Sequence, residues 1–214
     1  MSETPRTLRT GGFDAFFAAG RRIETPTLDA VIEVVELGRL ALPSGRLAAC
    51  DPSVVWELEP FTAELPPGDH PVELAVADVA TVNGVPQQAR KVAAARVVIA
   101  AEAAASWEMA VVAGQDTASL SGDLYFGYGV DAGIGAFLDA EAAKALDRIN
   151  DADELDGALA TAREGDLGAL VGDTESGLNV AAFPSGWGNG VYPTWVGRAA
   201  DGRVVSVVTD FHVF

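Results

Sequence analysis

Ser185–Phe214 reads SGWGNGVYPTWVGRAADGRVVSVVTDFHVF. Two extended runs, Val191–Arg198 and Arg203–Phe214, flank Ala199-Ala200-Asp201-Gly202. Asp-Gly between β-rich runs is a strong short-range hairpin signal, because both residues accept the left-handed backbone that a tight turn requires. The segment therefore predicts antiparallel pairing at the C-terminus. A glycine-rich loop, Gly186-Trp187-Gly188-Asn189-Gly190, leads into the hairpin and places Trp187 and Trp195 near Asp210 and His212.

Upstream, the same alternation recurs. Ala30–Leu42 and Arg46–Cys50 flank Pro43-Ser44-Gly45, a turn that supports a hairpin. Pro71–Ala80 and Lys91–Ala101 read as strands, with Val82-Asn83-Gly84-Val85 as a turn signal between them. Trp107–Ala113, Leu124–Val130 and Leu178–Phe183 add extended candidates, and Phe13–Gly20 suits a short helix ended by Gly20. Pro52–Pro67 reads as a surface wrap anchored by Trp56 and Phe61. Across Ala136–Asn150, Leu138, Ala142, Ala145, Leu146 and Ile149 recur at helical spacing, and Ala152–Arg163 suits a second short helix. The expected fold is α+β: mainly antiparallel sheet, one or two helices in the 136–163 region, and a C-terminal hairpin. Residues 1–12 read as a loose segment and 13–214 as one globular domain.

Of 214 residues, 49% are hydrophobic and 21% charged, the balance of a folded chain. No run approaches the ~18 apolar residues of a membrane span, and the N-terminus lacks a signal-peptide core, so a cytoplasmic protein with no membrane partner is expected. With 31 acidic against 14 basic residues the net charge is −17. Such a field repels phosphate backbones, which argues against nucleic acid and leaves room for a basic protein partner. One cysteine, Cys50, excludes an intrachain disulfide and a multi-cysteine metal site. Beside Asp51 it suits a buried structural thiol, since a carboxylate raises a thiol pKa.

The two histidines narrow the chemistry. His70, between Asp69 and Pro71, reads as an exposed turn residue. His212 lies two positions from Asp210, which on a strand puts both side chains on one face. That pair reads as two groups satisfying each other at a sheet end, with acid–base catalysis as the alternative. Gly127–Asp139 places glycines around Asp131 before the expected helix, matching neither a Walker A loop nor a dinucleotide fingerprint. Asp51, Asp131, Asp139 and Asp210 are the candidate ligands of a divalent cation, given that carboxylates suit Mg²⁺ or Ca²⁺. No cofactor is otherwise expected. Asp131, Gly133, Trp187, Asn189 and Tyr192 are candidate ligand-binding residues, on the view that the 186–190 loop rims a cleft shared with the Gly129–Gly135 turn.

Leu42–Pro52, Gly129–Gly133 with Phe137-Leu138-Asp139, Ser185–Pro193 and Thr209-Asp210-Phe211 occur in that order. Together they resemble the bacterial family called domain of unknown function 4241, from about residue 30 to the C-terminus. The resemblance implies one domain and carries no activity. In that family the loop is usually Ser-Gly-Trp/Tyr-Gly-Asp-Gly, so Asn189 here lacks a carboxylate. Two functions follow as expectations: an uncharacterised binding or interaction domain engaging a basic protein, or a hydrolase-like enzyme with a carboxylate-lined, cation-dependent cleft.

Overall fold

Asn83 and Gly84 have φ of 50° and 73°, the left-handed pair of a two-residue hairpin turn, and Val82 sits opposite Val85 across it. The computed structural model describes residues 12–53, 58–142, 167–173 and 175–214. Among the described residues the strands are β1 (Arg22–Glu24), β2 (Leu28–Leu42), β3 (Leu47–Cys50), β4 (Gly68–Val82), β5 (Val85–Val98), β6 (Ser106–Met109), β7 (Tyr128–Val130), β8 (Ile134–Asp139), β9 (Ala169–Gly172), β10 (Asn179–Pro184), β11 (Gly190–Tyr192), β12 (Thr194–Arg198) and β13 (Val204–Asp210). They form a seven-stranded sheet in the order β1-β2-β4-β5-β13-β12-β6, a four-stranded sheet β3-β8-β10-β9 and a ribbon β11-β7. Every pairing is antiparallel.

This corrects the α+β expectation: among the described residues the protein is mainly antiparallel β, and the helical pieces are short 3-10 turns at Phe13–Phe17, Thr117–Ser119 and Ala140–Ala142. The start of the expected helix at Ala136 is instead β8, a strand between β3 and β10 that is buried along its whole length. Period two explains it. Phe137 faces the core shared with the large sheet, and Ile134, Ala136 and Leu138 face a second cluster with Ala48, Val180 and Ala182. A short apolar run buried on both faces has no polar side to reveal its period, so helix and strand look alike. Residues 143–150 of that expected helix, the one expected at 152–163, and Trp56 lie outside the described residues.

The Pro43–Gly45 turn is likewise not a hairpin: β2 pairs with β4, and β3 pairs with β8 in the other sheet. The turn is the crossover between sheets. Asn179 fastens the sheets nearby, its Oδ1 accepting the Ala41 N–H at 2.8 Å and its Nδ2 donating to the Arg39 carbonyl at 2.9 Å. One side chain thus stands in for a strand neighbour along the edge of β2. The main core lies between the two sheets, with Leu74, Val97 and Val208 from one and Phe137, Ala181 and Phe183 from the other. Each Val, Leu or Phe side chain among them contributes roughly 1.5–3 kcal/mol on burial.

The C-terminal hairpin forms as expected between β12 and β13, with Gly202 at φ 87°. Its leading run is divided at Pro193: Gly190–Tyr192 pairs with β7, and Thr194–Arg198 joins the large sheet. Proline has no N–H to continue a ladder, so the strand changes partners there. β5 carries an extra residue, Ala93, between the partners of Ala75 and Val76, and the Ala93 carbonyl accepts the Phe211 N–H at 2.9 Å. That bond holds the chain beyond β13 against the sheet.

Candidate functional site

Asp210 and His212 do not share a strand face. β13 ends at Asp210, and His212 has a left-handed φ of 51°. Asp210 Oδ1 accepts the His212 backbone N–H at 2.9 Å, the side-chain-to-main-chain turn that favours that backbone. The imidazole Nδ1 is 4.0 Å from Asp210 Oδ2, and Tyr125 and Tyr192 lie against the ring at 5.5 and 6.0 Å. His70 is also not an exposed turn residue. It is a buried position of β4 with Nε2 2.8 Å from the Pro66 carbonyl.

The two glycine-rich segments do come together. β11 pairs with β7, and the Ser185 N–H donates to the Gly133 carbonyl at 3.0 Å. The 186–190 loop is tied down rather than open, since the Gly188 carbonyl accepts from the Tyr192 hydroxyl at 2.6 Å and from Ser185 Oγ at 2.8 Å. Tyr192 is buried and Asn189 is exposed, with its Oδ1 near Gly133. Trp187 is exposed, with the Lys91 ammonium 5.1 Å from its ring centroid, while Trp195 is core, stacked on Phe13 at 5.2 Å.

Each buried carboxylate is committed to main chain. Asp51 Oδ2 accepts the N–H groups of Asp131 (2.9 Å) and Ala132 (3.0 Å), while Oδ1 accepts the Ser53 N–H (2.9 Å) and its hydroxyl. Burial alone would raise its pKa; the hydrogen bonds from Ser53, Ala132 and Asp131 outweigh that and hold it below the usual carboxylate range. Asp139 accepts from Ser44 N–H and Oγ and from the Glu141 N–H at 2.8–3.0 Å, which secures the crossover turn. Asp131 itself is exposed and contributes its amide, not its carboxylate, to Asp51. Among the described residues no three His, Cys, Asp or Glu side chains group as metal ligands.

A cleft opens beside Asp51. A strap of chain crosses between the sheets here, the Phe61 N–H donating to the Leu47 carbonyl and the Thr62 N–H to the Val111 carbonyl, each at 2.8 Å. The strap carries Glu59 and Phe61 to the mouth of a cavity of about 230 Å³. Ala49, Phe61, Ala110 and Val112 supply its apolar wall. Cys50, Asp51, Glu59, Gln115 and Thr194 supply polar groups, and Gly127–Gly129 of the ribbon closes the other side. The Tyr128 ring lies along it, with the hydroxyl carried inward over Gly135. That hydroxyl is buried beside Thr209 and makes no hydrogen bond of ordinary geometry among the described residues; Thr209 is already paired with Thr194 at 2.8 Å. Burial, above all, pushes the phenol pKa up. Sequence reasoning missed Glu59, Tyr128 and Thr194 because the strap, the ribbon and the large sheet bring them together from distant parts of the chain, and no spacing signals it.

Cys50 retains some exposure, yet dense surroundings first and the Asp51 charge second push its thiol up to about 12. It is a neutral lining group, not a nucleophile. Iodoacetamide at pH 8 should therefore alkylate folded protein about 10³-fold more slowly than unfolded protein, because an ordinary thiol of pKa about 8.5 is about one-quarter ionised there. Mass spectrometry of the time course reads this out, and equal rates would contradict it.

No helix among the described residues is long and apolar enough to cross a membrane. No curated protein and no solved structure matches the chain. Residues 40–209 match the family described as "Protein of unknown function (DUF4241)", a span that takes in the crossover turn, Asp51, the strap, the cleft and the C-terminal hairpin up to Thr209. The chain belongs to the DUF4241 family.

Proposed function

We propose that this protein is a cytoplasmic binding domain that engages a basic protein partner through its acidic surface, with no reaction of its own. The observation that carries this reading is how its carboxylates are divided. The buried ones among the described residues, Asp51, Asp139, Asp173 and Asp210, hold backbone amides in turns. The remaining acids are far too numerous for the bases available: the net charge is −17, and Arg22, Arg90, Arg96, Arg198 and Arg203 are already engaged with acids of the same chain. A surplus of this kind accelerates encounter with a basic surface and disfavours acidic partners. The hydrolytic, cation-dependent alternative draws less support, because its four candidate carboxylates are not assembled as a ligand group.

The test is fluorescence anisotropy of labelled poly-lysine and poly-glutamate titrated with the whole protein. Poly-lysine should bind at about 50 mM salt and weaken at least tenfold by about 500 mM, as screened charge contacts do. Poly-glutamate should not bind. Absence of poly-lysine binding at low salt, or an affinity indifferent to salt, overturns the reading.

A further inference from the structure

The cleft beside Asp51 has a definite chemical character. Among the described residues its lining holds two carboxylates, Asp51 and Glu59, and no basic side chain. Asp51 is buried and its charge is favoured by four hydrogen bonds, so it contributes a fixed negative potential without offering a lone-pair site that demands a metal. Glu59, exposed at the mouth, has no ion-pair partner among the described residues. Between them run apolar surfaces, Phe61, Ala110 and Val112, together with Tyr128. At about 230 Å³ the space is below the roughly 300–1,000 Å³ of drug-sized ligand pockets and suits a single side chain.

We propose that this cleft receives an arginine side chain of the basic partner, its aliphatic stem against Phe61 and Val112 and its guanidinium at Glu59. The inference rests on the partner reading above and deepens it by naming the anchor. Arginine fits because its stem buries along apolar walls while its planar, weakly hydrated head forms a two-pronged bond to a carboxylate and stacks on aromatic faces. The charges of Asp51 and Glu59 exclude an anionic side chain from the same place. Interface anchors of this kind, an arginine seated in a pocket, dominate binding where they occur.

The experiment uses capped pentapeptides with a central arginine or its uncharged isostere citrulline, followed by backbone amide NMR shifts in the full-length protein, together with the poly-lysine assay and a poly-arginine counterpart. Two variants are compared. Glu59→Gln removes the charge at an exposed position, and Val112→Trp crowds the cleft from its half-buried apolar wall. The arginine peptide should shift the amides of Ala49–Asp51 and Gly127–Gly129, citrulline should not, and each variant should weaken arginine binding about tenfold. Thermal melts check that both variants fold. Equal binding of arginine and citrulline, or undiminished poly-arginine affinity in both folded variants, overturns the cleft proposal and leaves the partner reading standing. Loss of all basic-polymer binding in the unaltered protein overturns both.

Discussion

Asp51→Ala should destabilise the protein by about 2–4 kcal/mol at neutral pH, measured by urea unfolding. The side chain is almost wholly buried, and its removal strands the part-buried amide of Ala132 in the link from β7 to β8, while Asp131 and Ser53 are exposed residues whose N–H groups can turn to water. Each stranded donor costs about 1–3 kcal/mol. Asp51→Asn retains one acceptor oxygen and should lose less. The pH dependence has a definite sign. The folded carboxyl titrates below its unfolded value, so the native state favours the ionised form. Its contribution is complete above the unfolded pKa of about 3.9 and disappears as pH falls through the lower folded value. The difference between Asp51→Asn and the unaltered protein should therefore shrink between pH 7 and pH 2. A constant difference would mean that charge contributes nothing and only shape matters.

Gly45→Ala should be the most damaging single-methyl addition, costing about 3 kcal/mol or more. Gly45 has φ 69°, and a Cβ there would lie 2.3 Å from the Leu65 carbonyl oxygen. That oxygen is main chain, and the Leu65 N–H donates to the Gly45 carbonyl at 2.9 Å, so neither strand of the contact can retreat without breaking the other bond. Gly84→Ala is the control: φ is 73°, but nothing lies within 4 Å of the added carbon. It should cost only the backbone strain of about 1–2 kcal/mol. Similar losses at both positions, by urea unfolding, would show that the close approach at Leu65 is unimportant.

The two glycines also separate what was legible in the chain from what was not. Asn83-Gly84 announces its hairpin because the turn needs only its own residues' backbone freedom, and the Asp201-Gly202 turn does the same. Pro43–Gly45 carries equally strong turn chemistry, yet its strands leave for different sheets. Local chemistry specifies that the chain turns, and the partner of each strand depends on distant residues such as Asn179. Ile134–Asp139 fails for a related reason: burial on both faces erases the polar alternation that would distinguish strand from helix. At the site, the meeting of the 186–190 loop with the Gly129–Gly135 turn was readable as an expectation from glycine content. The strap bearing Glu59 was not, because its position follows from bonds to Leu47 and Val111.

The sequence by itself determined the antiparallel β character of the long runs, the Asn-Gly and Asp-Gly turns, the acidic surplus and the family, because these depend on side-chain alternation, local φ preferences, composition and ordered motifs. Only the tertiary structure decided that Asp51 and Asp139 accept hydrogen bonds from main-chain amides, that His212 leaves its strand, and that an acid-lined cleft opens behind Phe61. Those outcomes rest on which backbone amides and carbonyls approach each carboxylate once the sheets have packed. That approach is set by long-range strand pairing, to which spacing along the chain gives no direct access.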